Sequence, residues 1–170
     1  VHGAREEGEP GIFVAFEESA AHIRANAASM GWDLPSLESE KLFLLDARIP
    51  IETIHAGEFE LSGILAGLQA KAQEMGARRV VFDAVDVLLA LLDNGMAERR
   101  EIYRLHDWIE QQGYTGILTA KSSNKDGQPA ARYDFLQFMA DCVVTLEHNT
   151  HELVSTRYLC LLYTSPSPRD

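Results

Sequence analysis

The sequence predicts an α/β fold: a mostly parallel sheet with helices on both faces and an antiparallel edge hairpin at its C-terminal end. Three observations predict it. Ile12-Phe13-Val14-Ala15-Phe16 is an unbroken apolar run behind Pro10-Gly11, the pattern of a strand buried on both faces. Three further strand-like runs alternate with segments of helical spacing, which builds right-handed βαβ units and a parallel sheet. The last two strand-like runs follow one another without a helix between them, as in a hairpin.

In chain order, residues 1–10 are polar, carry Gly and Pro, and read as a loop. The first strand, Gly11–Phe16, stops at Glu17 and Glu18. Ser19 caps a helix over Ala20–Met30 that places Ile23, Ala27 and Met30 along one side, and Gly31 ends it. Trp32–Leu37 is a short turn of structure before the second strand, Leu42–Ala47. Residues 48–60 form a charged loop rich in breakers. Leu61, Ile64, Leu65, Leu68 and Ala72 mark an amphipathic helix that ends at Gly76. The third strand is Val80–Val85. A second long helix begins near Ala97, presents Ile102, Leu105 and Ile109 on one face and stops at Gly113. Tyr114–Ala120 is the fourth strand, Lys121–Ala130 a polar loop and Tyr133–Met139 a short helix. Cys142–Glu147 and Leu153–Leu162 close the chain, joined by a turn at Asn149-Thr150-His151.

At 170 residues the chain has the length of about one domain and can bury a sizeable core. A formal charge of −11 weighs against a protein whose main task is gripping nucleic-acid backbones, and Arg78-Arg79 and Arg99-Arg100 are its only basic pairs. No apolar stretch reaches the roughly 18–20 residues that span a membrane, and the N-terminal residues are no signal peptide. Cys142 and Cys160 are too few and too far apart for a disulfide framework or a thiolate zinc site, so a reducing cytoplasm is the expected setting. The first residue is Val1 rather than Met, from which a piece of a longer protein is expected. Residues 160–170 pass from strand to a Ser/Pro tail without turn signals and resemble translated sequencing-adapter read-through. They are expected to be non-native, leaving 1–159 as one partial domain.

Two groups of residues carry chemistry. Arg78-Arg79-Val80-Val81-Phe82-Asp83 has the form of a Walker B strand, in which a carboxylate held at a strand tip orients Mg²⁺ and its waters beside nucleotide phosphates. A loop-capping Asp has the same local appearance, and Asp46 ends its own strand similarly. Glu17 and Glu18 stand at the carboxyl end of the first strand, where open α/β sheets bind ligands, and a carboxylate there can orient an attacking water. Adjacent residues of an extended segment point to opposite sides, so both serve only if the chain is already turning. Acids before a helix also favour its dipole by roughly 0.3–1 kcal/mol, which accounts for them without catalysis. Thr119, closing the fourth strand, could donate toward a terminal phosphate. His148 and His151 lack the company a metal site needs. Arg99, Arg100, Glu101 and Arg104 form a charged helix face, ordinarily a solvated one.

Taken in order, these segments resemble the ATPase domains of KaiC, the circadian clock protein, within the RecA-like superfamily. The resemblance rests on Gly11–Ser19, Asn26-Ala27-Ala28-Ser29-Met30-Gly31-Trp32-Asp33-Leu34, Lys41–Ala47, Ala77–Val85, Arg99–Leu105, Ala131-Arg132-Tyr133 and Ala140–Val144, and covers roughly residues 10–159. It implies Mg²⁺-dependent ATP hydrolysis in a ring, a hexamer, with ATP held between neighbouring subunits and with room for regulatory protein partners. By the same resemblance Glu17 and Glu18 activate the attacking water, Asp83 is the Walker B carboxylate and metal ligand, and Ser29 contacts the nucleotide. Two departures stand beside it. No G-x-x-x-x-G-K-[ST] occurs in the 170 residues, so the phosphate cradle is expected upstream of Val1. The family's Lys-x-Arg-Gly segment, which reaches the nucleotide across the subunit interface, would fall where the Ser/Pro tail begins. The chain alone is therefore expected to be inactive. Gln137-Phe138 occupy the place of the second domain's Ser-Thr phosphoacceptors, so autophosphorylation there is not expected. A RecA- or RadA-like recombination ATPase is the alternative enzyme, disfavoured by the acidic balance and the lack of a basic, aromatic DNA-binding loop. A non-catalytic RecA-fold assembly or regulatory module is the alternative outside enzymes.

Overall fold

A computed structural model of the chain describes residues 1–48, 61–92, 94–121, 134–151 and 154–163. The chain divides into two compact units, Val1–Lys121 and Ser122–Asp170. The first contains helix α1 (His2–Arg5), strand β1 (Gly11–Ala15), helices α2 (Ala20–Ser29) and α3 (Leu34–Glu38), and strand β2 (Leu42–Asp46). Helix α4 (Leu61–Met75), strand β3 (Arg79–Asp83), helices α5 (Val85–Leu89) and α6 (Gly95–Gln112) and strand β4 (Thr115–Leu118) follow.

The four strands form one sheet in the order β2-β1-β3-β4, parallel at every pairing. The unbroken apolar run of β1 has its physical reason here: β1 lies inside the sheet, with helices on both of its faces. On one face Phe16 stacks on Phe82 at 6.5 Å between ring centroids, and Phe82 meets the edge of Trp108 from α6 at 6.2 Å. Leu61, Leu65 and Leu68 of α4 and Ile102 and Leu105 of α6 are all buried, and the Lys71 ammonium of α4 lies 5.5 Å from the Phe43 ring of β2. On the other face Phe13 packs with Ala27 and Ile23 of α2, Leu34 and Leu37 of α3, and Leu42. The parallel α/β architecture expected from the sequence is thus present, with helices on both faces.

Helix ends follow local chemistry. Ser19 caps α2 by accepting from the His22 N–H at 3.2 Å, and Asn94 caps α6 by accepting from the Ala97 N–H at 2.9 Å. Gly113 ends α6 at φ +65, a left-handed conformation that a side chain would strain.

Four expectations need correction. Residues 1–10 are not all loop: His2–Arg5 is a helical turn, closed by Arg5 N–H donating to the Val1 carbonyl at 2.9 Å, with Ala4 buried beneath it. Trp32–Leu37, expected as a turn, gives way to helix α3, capped by Asp33 accepting from the Ser36 N–H at 3.2 Å. The third strand stops at Asp83 instead of running to Val85. Ala84 turns left-handed at φ 61 and Val85 opens α5: the Ala84 N–H donates to the Thr119 hydroxyl at 2.8 Å and the Val85 N–H to the Thr119 carbonyl at 2.9 Å, which closes off the ladder with β4. The fourth correction lies in the second unit.

That unit holds a 3-10 helix (Asp134–Phe138) and strands β5 (Cys142–His151) and β6 (Val154–Tyr163), an antiparallel pair forming a two-stranded sheet of its own. The hairpin is therefore present, but Asn149, Thr150 and His151 are not its turn. They continue β5 opposite Thr156, Ser155 and Val154, since continued pairing satisfies backbone groups that a turn at Asn149 would leave open. Cys160–Tyr163 pair in register with β5, so the first part of the segment set apart in the sequence belongs to β6, while 164–170 lie outside the described residues. Of the loops expected at 48–60 and 121–130, residues 49–60 and 122–130 lie outside the described residues too, as do Ala131, Arg132 and Tyr133. Among the described residues no helix is long and apolar enough to cross a membrane.

The Phe16–Phe82–Trp108 stack makes one expected outcome plain. Phe82 is fully buried, so Phe82→Ala should lower the unfolding free energy by about 3–5 kcal/mol. Urea denaturation checks this as a fall in midpoint with little change in slope.

Candidate functional site

A parallel sheet brings the carboxyl ends of its strands to one edge, and here that edge is acidic. Ala15 of β1 pairs with Asp46 on one side and Asp83 on the other. The acids Asp46 and Asp83 therefore end their strands level with each other, and Glu17 follows two residues beyond Ala15. The Phe16 N–H donates to the Asp83 carbonyl at 3.1 Å, which keeps the departing β1 chain against the end of β3.

Asp83 is held by Thr119, the residue that follows β4. The Thr119 hydroxyl donates to Asp83 Oδ1 at 2.6 Å and accepts from the Ala84 N–H at 2.8 Å. The Thr119 N–H donates in turn to the Phe82 carbonyl at 3.0 Å. One hydroxyl thus orients the carboxylate and supports the left-handed turn behind it. A second acid, Asp86 in the first turn of α5, accepts from the Lys121 N–H at 3.2 Å. The Lys121 ammonium crosses the end of β3 and bonds to the Glu17 carboxylate. That bond, with the nearby Asp86 and Asp83 charges adding to it, raises the Lys121 pKa, so the ammonium stays charged throughout the neutral range.

The two glutamates part company. Glu17 turns to Lys121, whereas Glu18 turns to α2, where Asn26 Nδ2 donates to it at 3.4 Å and His22 Nδ1 lies 3.6 Å away. Ser29 is the last residue of α2, with its hydroxyl donating to the Asn26 carbonyl at 2.6 Å. A ten-residue helix is about 15 Å long, and α2 begins beside Asp46, whose Oδ2 accepts from the Ala20 N–H at 3.3 Å. Of the four residues singled out in the sequence, then, Glu17 and Asp83 share the edge, Glu18 leans away along α2, and Ser29 sits at that helix's far end. Asp46 is bound by Arg48 at 2.8 and 2.9 Å, which with the Ala20 N–H lowers its pKa to about 2.

Lys121 and Asp86 had no sequence signal. Lys121 reads as the first residue of a polar loop, and nothing local reveals that it reaches a residue more than a hundred positions earlier. The charged face of α6 is also tied inward: Glu101 is buried, with Arg100 Nε at 3.1 Å and Arg104 Nη1 at 3.0 Å. His148 contacts the Ser155 hydroxyl across the hairpin. A groove of about 650 Å³ between α4 and α6, lined by Leu65, Gln69, Tyr103, Arg104 and Trp108 among others, contains none of the strand-end acids. The strand edge, with its fixed carboxylates, is the better candidate for chemistry.

Asp83 suits a hard divalent cation in kind. It is a half-buried carboxylate on a rigid strand tip, and with Oδ1 bonded to Thr119 it keeps acceptor capacity at Oδ2.

Comparison with known proteins supplies the context for this edge. The family model described as "ATPase: KaiC" matches residues 1–163. The circadian clock protein KaiC2 of Synechocystis sp. is 37% identical over 160 residues, covering 92% of this chain and 28% of the relative. The circadian clock oscillator proteins KaiC of Prochlorococcus marinus subsp. pastoris and Thermosynechococcus vestitus are 39% and 41% identical over 149 and 142 residues. These alignments cover 86% and 82% of this chain, and 29% and 27% of the relatives. The chain thus spans a little over a quarter of the length of the relatives it matches.

Two measurements check the geometry of this edge. Thr119→Val removes the bridge between Asp83 and Ala84 and should cost about 1–2 kcal/mol in chemical denaturation, with Thr119→Ser retaining most of it. Asp46 should titrate near 2 by carboxyl-carbon NMR, against an ordinary 3.8, and Arg48→Ala should move it back toward that value. Because the folded value lies below the unfolded one, the stabilisation is present above about pH 4 and is lost as pH falls through about 2.

Proposed function

The chain belongs to the KaiC family of ATPases, and on that premise we propose that it forms part of an ATP-hydrolysing domain of a clock-related or signalling protein. The observation that carries the reading is the convergence of Glu17 and Asp83 on one strand edge, with Thr119 fixing the Asp83 carboxylate. Glu17 is the exposed carboxylate of the pair and is placed to accept a hydrogen bond from a water. The water oxygen attacks the γ-phosphorus as the bond to the β–γ bridging oxygen breaks, leaving ADP and phosphate. Asp83 would hold Mg²⁺, directly or through its waters, and that ion supplies charge neutralisation on the transferred phosphoryl group. Glu18 supports the arrangement from the α2 side, and Ser29 contacts the nucleotide away from the reacting end.

The Gly-rich loop that would cradle the phosphates comes, in this reading, from outside the 170 residues, which lack its motif and span only part of the relatives' length. A hexameric ring with ATP between subunits, regulatory protein partners and a cytoplasmic location belong to the same proposal, as does the non-native character of the Ser/Pro tail. The same missing motif favours a second reading, in which the domain is a non-catalytic assembly or regulatory module.

Two experiments test the proposal. Calorimetry on the 170-residue chain should detect no micromolar ATP binding, and micromolar affinity would overturn the assignment of the phosphate grip to another segment. In the complete protein with its phosphate-binding loop, Glu17→Gln should slow hydrolysis by about 10²–10⁴-fold while sparing nucleotide binding. Glu18→Gln alone should cost less than about tenfold, because Glu18 faces α2. Absence of turnover in the native complete protein favours the non-catalytic reading, and undiminished turnover in Glu17→Gln removes Glu17 from the chemistry.

A further inference from the structure

The Lys121–Glu17 ion pair is the feature of this edge that the reading above leaves unused. Its two partners follow different strands, Glu17 just beyond β1 and Lys121 just beyond β4, with β3 between the two. Adjacent strands lie about 4.8 Å apart, so an ammonium leaving the end of β4 must cross roughly 10 Å to reach the end of β1. Two long side chains reaching toward each other close that gap, and they meet past the end of β3, where Asp83 stands. The backbone that launches it is fixed. Thr119 is bonded to Phe82, Asp83, Ala84 and Val85, and the Lys121 N–H is held by Asp86. The charged groups around the ammonium are Glu17 from the end of β1, Asp83 from β3 and Asp86 from α5. Arg48, the cation at the end of β2, is committed to Asp46.

We propose that Lys121 is a positioning residue for Glu17, holding its carboxylate in one orientation at the strand edge through an ammonium whose backbone is anchored beside the β3–β4 junction. The proposal rests on the reading of Glu17 as the carboxylate that orients water. A purely stabilising role explains the pair poorly. Both side chains are well exposed, at 67% and 44%, and exposed ion pairs contribute only about 0–1 kcal/mol. Orientation is another matter. Glu17 follows a strand end without a helix or a packed layer of its own, and a glutamate in that setting samples several rotamers unless something fixes it. A water-orienting group that wanders by about 1 Å can lose up to 10²-fold in rate.

The test has two parts. In the 170-residue chain, three-bond couplings from the backbone to Glu17 Cγ report its χ1 distribution by NMR. We expect a single rotamer in the native chain and in Lys121→Arg, whose guanidinium spans the same gap, and an averaged one in Lys121→Met. Averaging already present in the native chain, or a single rotamer surviving in Lys121→Met, overturns the proposal whatever the fate of the ATPase reading. In the complete protein, Lys121→Met should lower kcat about tenfold with KM within about twofold of native, and Lys121→Arg should recover most of the loss. An unchanged kcat in Lys121→Met alongside an inactive Glu17→Gln overturns the positioning role and leaves the ATPase reading standing. Full turnover in Glu17→Gln overturns the ATPase reading of that residue, and the positioning role goes with it.

Discussion

The Thr119 hydroxyl joins the ends of two strands and so decides what the acidic edge is. It donates to Asp83 and accepts from Ala84, and the Thr119 carbonyl receives the Val85 N–H one step further on. Those three bonds stop β3 at Asp83, force the left-handed turn at Ala84 and start α5. The carboxylate is therefore aimed by a hydroxyl whose own residue is fixed by backbone bonds, which is the condition for a strand-tip acid to act as a fixed ligand. A free loop Asp of the same sequence would satisfy its oxygens with its own backbone or with water.

Charge is organised around the same junction. Within a strongly acidic chain, Asp46, Asp83, Asp86 and Glu17 crowd one sheet edge, and like charges so close require compensation. Arg48 compensates Asp46 within the β2 end, and Lys121 compensates Glu17 across β3. The second arrangement has the longer reach, and it depends on a lysine whose backbone is pinned by Asp86. The pairing of Lys121 with Glu17 is consequently a product of strand order, whereas that of Arg48 with Asp46 is one of neighbours in sequence.

The helix-dipole account of Glu17 and Glu18 is divided by the structure. Glu18, beside His22 and Asn26, sits where it can interact with the first turns of α2, so the local explanation suits it. Glu17 faces the other way and takes its partner from the segment after β4, which the local explanation does not anticipate. Adjacent residues leaving a strand diverge, and that alternation, already a consideration for the sequence, assigns the two acids to different surroundings.

The sequence by itself determined the elements that depend on near neighbours. The apolar run of β1, the Ser19 cap and the Gly113 stop were legible because burial on two faces, side-chain capping and left-handed φ each leave a mark within a few residues. The acid at the tip of β3 was legible for the same reason, and the ordered motifs made the family recognisable. The tertiary structure alone decided where β3 ends, that α5 follows it, and which cation meets Glu17. Each of these turns on a hydrogen bond or an ion pair between segments far apart in the chain, whose geometry exists only once the strand order β2-β1-β3-β4 is in place.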